Sequence, residues 1–249
     1  MTQAEGNLKR DTLVIERRYR GPPESGNGGY VCGRLAQFLE GDSVSVRLHA
    51  PPPLEKRLQV RSSENVASLY DGDALVAEAR VSAAAITPVE PPGYQEAKAA
   101  SQQYRGFQSH WFPSCFVCGP QRNLHEGLRI FPGPIEGRSL VAAPWIPDPS
   151  LASANSMVRP EFLWAALDCP GAFAFPEPHE SVVLLGQLQV SLCGAVTVGE
   201  QCVVVGWELN HKGRKHFTAT ALFGESGACR GVGLGTWIEM QQNTSNGAV

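Results

Sequence analysis

One pattern limits what this chain can become: a single helix near the start of a run of strands, and then the same order a second time. Thr12 to Tyr19 has the β-branched, alternating character of a strand and runs into GPPESGNGG, a dense cluster of turn formers. From Tyr30 to Leu39, Val31, Leu35 and Phe38 recur every three or four positions, which describes one buried helix face ending at Gly41 and Asp42. Four strands are expected next, Val44 to His49, Arg57 to Arg61, Val66 to Tyr70 and Leu75 to Ala83, set apart by PPPLEK, SSEN and the turn Asp71-Gly72-Asp73. The plan then repeats. Strands are expected at Leu128 to Phe131 and Ser139 to Ala143, and a helix from Val158 to Leu167 that stops at Cys169-Pro170-Gly171. Strands follow at Val182 to Leu192, Gln201 to Leu209, Phe217 to Phe223 and Arg230 to Glu239.

A helix followed only by strands, twice over, excludes alternating βαβ units and predicts an α+β chain built from a duplicated unit. The predicted divisions are residues 1–86, a linker over 87–114 with one helical turn near Gln95 to Gln103, and residues 115–249. The repeat is one of architecture, with little identity between the halves.

Composition narrows the function. The chain has 249 residues, 43% hydrophobic, enough for a substantial core without covalent staples. Its 21 basic and 24 acidic residues are spread along it, a net charge of -3 that offers no footprint for nucleic acid or an anionic membrane surface. The N-terminal MTQAEGNLKR lacks the apolar core of a signal peptide, and no apolar run is long enough to span a bilayer. Seven scattered cysteines are an odd number and read as free thiols, so a cytoplasmic protein is expected.

Two places carry chemistry. Asn27-Gly28-Gly29 opens the first helix, where the leading N–H groups lack intrahelical partners and bare glycine backbone admits a ligand oxygen. Such donors stabilise charge developing on a carbonyl; the same residues also serve as a helix cap and a tight turn. Asp168, at the end of Phe162-Leu163-Trp164-Ala165-Ala166-Leu167, shares a face with Trp164 and Ala165, and burial there raises a carboxyl towards the range of a general base. A helix-ending Asp that bonds in the following turn accounts for it equally. Cys115-Phe-Val-Cys118-Gly is half of a zinc knuckle, but no second ligand pair at comparable spacing follows, so no metal is expected. No Ser has a nucleophile-elbow setting, and Arg214-Lys215-His216 beside a turn is either a phosphate contact or a solvated strand end.

These residues resemble the hotdog-fold acyl-CoA thioesterases, especially the phenylacetate-pathway type, and the likeness spans both halves, so that the whole chain resembles a double hotdog. Asn27-Gly28-Gly29-Tyr30-Val31 is similar to that family's His-Gly-Gly helix start, with Asn in place of His. Leu167-Asp168 resembles the segment holding the family's catalytic carboxylate, and Cys115-Phe116-Val117-Cys118-Gly119 with Gly127-Leu128-Arg129-Ile130 resembles the opening segment of many hotdog domains. The departures are informative: the acid's position in the first half falls on Ala36, and the glycine positions of the second fall on Pro160 and Glu161.

The resemblance implies two curled antiparallel sheets, each wrapping one helix, joined as an intramolecular pseudo-dimer. It implies one composite site, with backbone donors at Gly28 and Gly29 and the carboxylate of Asp168, and Asn27 orienting substrate or water. Hydrolysis of an acyl thioester, with acyl-CoA as the foremost substrate, is the activity it implies. Trp164 and Phe162 are then candidate walls for the acyl group, with core packing as their other role, and Arg214 and Lys215 are candidate substrate contacts. No cofactor is expected apart from CoA carried by the substrate, and the chain is expected as a monomer or homodimer. A non-catalytic hotdog that binds acyl-CoA or another apolar ligand stands as the alternative, and a hydratase ranks last because no His lies on either expected helix.

Overall fold

In the computed structural model residues 9–83, 86–176 and 181–240 are described, so the first eight residues of the polar N-terminal segment lie outside the described residues. The first half contains β1 (Lys9–Val14), α1 (Gly28–Ala36), β2 (Ser43–Leu48), β3 (Arg57–Ser62), β4 (Val66–Asp71) and β5 (Ala74–Val81). Helix α2 (Tyr94–Ser101) comes next, followed by β6 (Gly133–Pro134), β7 (Val141–Trp145), α3 (Pro160–Ala166) and α4 (Cys169–Phe173). The chain continues through β8 (Val182–Leu192), β9 (Cys202–Lys212), β10 (Lys215–Phe223) and β11 (Cys229–Met240).

The strands form one antiparallel sheet in the order β1-β3-β4-β5-β2-β8-β11-β10-β9-β7-β6, so the two joined sheets expected are continuous with each other. The halves fuse where β2 pairs with β8, setting Val46 opposite Leu188 and Val44 opposite Val190. On the other face of this seam the amides of Gln187 and Gln189 donate to the hydroxyls of Ser45 and Ser43 at 3.0 and 3.2 Å. Counting outward from the seam, the first half runs β2, β5, β4, β3, β1 and the second runs β8, β11, β10, β9, β7. With α1 after β1 and α3 after β7, five strands and one helix of each half match in order, with α2, β6 and α4 as additions to the second, so the repeat read from the helix-then-strands pattern is one of connectivity.

Period-two alternation sorts the side chains between the sheet's faces. Along β9, Cys202 and Val204 join the core around the helices, while Val203, Val205 and Trp207 face a second apolar cluster with Ala219, Ala221 and Phe223 of β10. Residues 87–114 supply the cover for that second cluster, since α2 buries Ala97 and Ala100 against it. The contact is close: a Cβ at Gly133 would stand 1.8 Å from the carbonyl oxygen of Ala100.

Two local expectations give way. Leu128 to Phe131 is not a strand; Leu128 and Ile130 are buried, and their N–H groups bond the Phe116 and Val117 carbonyls, which bends the segment through Arg129 at φ 55°. Cys169-Pro170-Gly171 does not end the helical region either. Proline lacks the N–H needed to continue α3 but is tolerated in a first turn, so a new helix, α4, starts there and Asp168 occupies its N-cap position.

The centre of the molecule is the crossing of α1 with α3. A Cβ at Gly33 would lie 2.7 Å from Trp164 Cβ and 2.8 Å from Glu161 Cα, and one at Gly29 would lie 2.4 Å from Asp168 Cβ. The two glycines, one turn apart, form the face that lets the helices of the two halves meet. Around it Tyr30 stacks on Tyr19 at 4.2 Å between ring centres, with Phe116 and Phe162 completing a buried aromatic cluster. Gly33→Ala is therefore expected to lower the unfolding free energy by about 1–3 kcal/mol through overpacking. Gly93→Ala, where an added Cβ meets nothing within 4 Å, is expected to stay within about 0.5 kcal/mol of the parent. Urea denaturation of both variants compares the two.

Candidate active site

The site begins with the cap of α1. Asn27 has extended backbone, and its side-chain oxygen accepts the Tyr30 N–H at 2.9 Å, which turns its Nδ2 group away from the helix. That amide donates to Asp168 Oδ2 at 2.9 Å, and the Gly29 N–H donates to the same oxygen at 2.8 Å. The first turn of α1, from one half, thus grips one oxygen of a carboxylate from the other. Glycine is needed at 29 because the Asp168 side chain occupies the space of a Cβ.

Asp168 is 3% exposed, and its second oxygen, Oδ1, is buried with no hydrogen-bond partner among the described residues. Burial raises its pKa to about 7, against the opposing pull of the Gly29 N–H and the Asn27 amide. A buried carboxyl with one oxygen held and the other unpaired is costly to fold around, and such groups mark chemistry more often than stability.

Asp168 lies on the wall of a cavity of about 480 Å³, within the range of small-molecule sites. The wall is largely apolar, with Pro22, Leu48, Pro51, Leu185, Phe112 and Ile238 among its residues. Gly28 lines it as well, and as the first residue of α1 its N–H has no intrahelical acceptor. Asn27, Gly28 and Asp168 therefore share one wall, while Gly29 lies behind Asp168 with its N–H already engaged.

The remaining candidates lie elsewhere. Phe162 and Trp164 do not line the cavity; both are buried, Phe162 in the aromatic cluster and Trp164 against Gly33, because the apolar face of α3 points at α1. Arg214 and Lys215 are outside the lining too. They sit at the exposed β9–β10 turn, where the Arg214 guanidinium donates to the Glu239 carbonyl at 3.2 Å. In their place the fold brings in residues from 87–114: Arg105, whose guanidinium donates to the carbonyls of Ala172 in α4 and Phe175 just after it, at 2.9 and 2.7 Å, and His110. Cys115, Cys118 and Cys169 line the same wall, so Cys169 is not the isolated residue its sequence position suggested. Its place directly after Asp168 was the signal available, but a contact spanning fifty-four positions is set by folding alone.

No protein-family model and no curated protein matches this sequence. Solved structures do. A tesB protein of Mycobacterium avium subspecies paratuberculosis superposes with a TM-score of 0.60 at 13% identity, over 94% of this chain and 96% of the other. The acyl-CoA thioesterase II TesB2 of Mycobacterium marinum gives 0.58 at 12% identity, over 97% and 96%. A conserved hot dog fold protein of unknown function from Alicyclobacillus acidocaldarius gives 0.56 at 10% identity, over 96% of both chains. The chain has the hotdog fold.

Asn27 anchors the site twice, as cap and as donor. Asn27→Ala is expected to cost about 1–2 kcal/mol in thermal or urea unfolding, the range for loss of a side-chain cap.

Proposed function

We propose that the chain is a double hotdog, two repeats joined as an intramolecular pseudo-dimer, and that it hydrolyses an acyl thioester, with acyl-CoA as the foremost substrate. The observation that carries the reading is Asp168: a buried carboxyl held by the opposite repeat, with one oxygen unpaired, on the wall of an apolar cavity. The name of the similar Mycobacterium marinum structure, an acyl-CoA thioesterase II, supports it as an analogy of fold. Element-for-element matching of the halves supports the double-hotdog reading.

In the proposed reaction the acyl chain lies in the apolar cavity with its carbonyl oxygen at the Gly28 N–H, the donor not already committed. Asp168 takes a proton from water as the water oxygen bonds to the carbonyl carbon. The tetrahedral intermediate then collapses, the C–S bond breaks, and the proton held by Asp168 passes to the leaving sulfur, giving free acid and thiol. Asn27 and Gly29 hold the carboxylate oriented throughout. One such site exists per chain, since the pseudo-equivalent positions are Ala36 in the first repeat and Pro160 and Glu161 in the second.

Free-thiol release from short, medium, long and aromatic acyl-CoAs tests the proposal. Asp168→Asn should lower kcat by about 100-fold or more, the range for loss of a positioned base. A variant as fast as the parent removes Asp168 from the mechanism. Saturable binding of the panel without any thiol release assigns the chain to a non-catalytic ligand-binding role instead.

A further inference from the structure

The three cysteines on the cavity wall are arranged as a ligand set. Their sulfurs all lie within 4.8 Å of one another, and Cys115 Sγ and Cys169 Sγ are 3.8 Å apart. Two sulfurs at tetrahedral positions around one zinc ion, each at a bond length of about 2.3 Å, stand roughly 3.8 Å apart. The separation of Cys115 from Cys169 is therefore already that of two thiolates sharing a metal.

The cluster is held by a tight turn and faced by hydrogen-bond donors. Cys115 to Gly119 is a tight knuckle closed by the Gly119 N–H on the Cys115 carbonyl at 3.0 Å, and a Cβ at Gly119 would stand 2.5 Å from the backbone of Cys115. The Asn27 amide faces Cys115 Sγ and Cys169 Sγ at 3.8 and 3.9 Å. His110 accepts the Phe112 N–H on Nδ1 at 2.9 Å, which leaves the ring hydrogen on Nε2, 3.4 Å from Cys118 Sγ. His110 is thereby a donor to sulfur and not a fourth ligand. All three sulfurs receive N–H donors, as the outer shell of a metal thiolate site does.

We propose that Cys115, Cys118 and Cys169 form a three-thiolate site for a thiophilic divalent cation, zinc foremost, with the fourth coordination position open to the cavity. Three soft ligands and no carboxylate exclude magnesium and calcium from the site. Each thiol gives up its proton to solvent as its sulfur binds, so the site carries a net charge of -1 with the ion in place. The shared cavity provides the ion's route in. The site stands whether or not the chain hydrolyses thioesters, and its test does not read activity.

The full-length protein, stripped with a chelator and kept reduced by a phosphine, is titrated with Co²⁺. The expected result is saturation at one equivalent with a sulfur-to-cobalt charge-transfer band in the near ultraviolet and intense ligand-field bands in the red, both lost when Zn²⁺ is added. Cys118→Ser and Cys169→Ser should each weaken the charge-transfer band, whereas Cys193→Ser, at an exposed cysteine, should leave it unchanged. The absence of a charge-transfer band in the fully reduced parent protein overturns the proposal. So does a band that persists unaltered in both cluster variants, or one that Cys193→Ser removes.

Discussion

Everything distinctive about this molecule depends on how near α1 and α3 come to each other. An added Cβ at Gly29 or Gly33 would overlap Asp168, Trp164 or Glu161. Close approach brings the Asp168 carboxyl within reach of the first turn of α1, where an N–H and a capping amide are already oriented. The same approach carries Cys169, the next residue, to the knuckle that precedes Gly119. Helix contact, carboxylate and thiol cluster are consequences of one steric fact.

Sequence reading recovers the repeated helix-then-strands order because both signals are local: a period near 3.6 in Val31, Leu35 and Phe38, and alternation in the strands. It also isolates Asn27, Gly28, Gly29 and Asp168, since a capped glycine start and an acid on an apolar helix face are unusual enough to stand out. What it does not recover is non-local. Nothing local distinguishes two sheets from one, because the β2–β8 seam joins strands about 140 positions apart through ordinary valines and leucines. The direction of Trp164 and Phe162 is settled by the partner helix, and the place of His110 by the path of residues 87–114 over the second repeat.

The glycine pair shows how a correct residue can carry a different role from the one its motif suggests. Gly-Gly at a helix start reads as two bare N–H groups presented to a ligand. In the folded chain only Gly28 faces the cavity, while Gly29 spends its N–H on Asp168 and its missing side chain on the helix crossing. Gly28 packs its bare backbone against Leu185 at the cavity wall, where an added Cβ would stand 2.7 Å from Cδ2, and Gly29 packs against the opposite helix.

The unequal covering of the sheet has a consequence for how the two repeats tolerate change. In the first repeat the outward side chains of β3 and β5, such as Arg57, Gln59 and Arg80, are exposed, with Arg61 lying over Tyr70 at 4.2 Å. In the second repeat the corresponding surface is dry beneath α2, so β9 has no residue from Cys202 to Trp207 that is free of packing. One half keeps a hydrated back on which polar substitutions are expected to be tolerated, whereas the other is sandwiched and packed on both sides. The same chain path thus sets different demands on side chains in the two halves: polarity on the back of one, apolar volume on the back of the other.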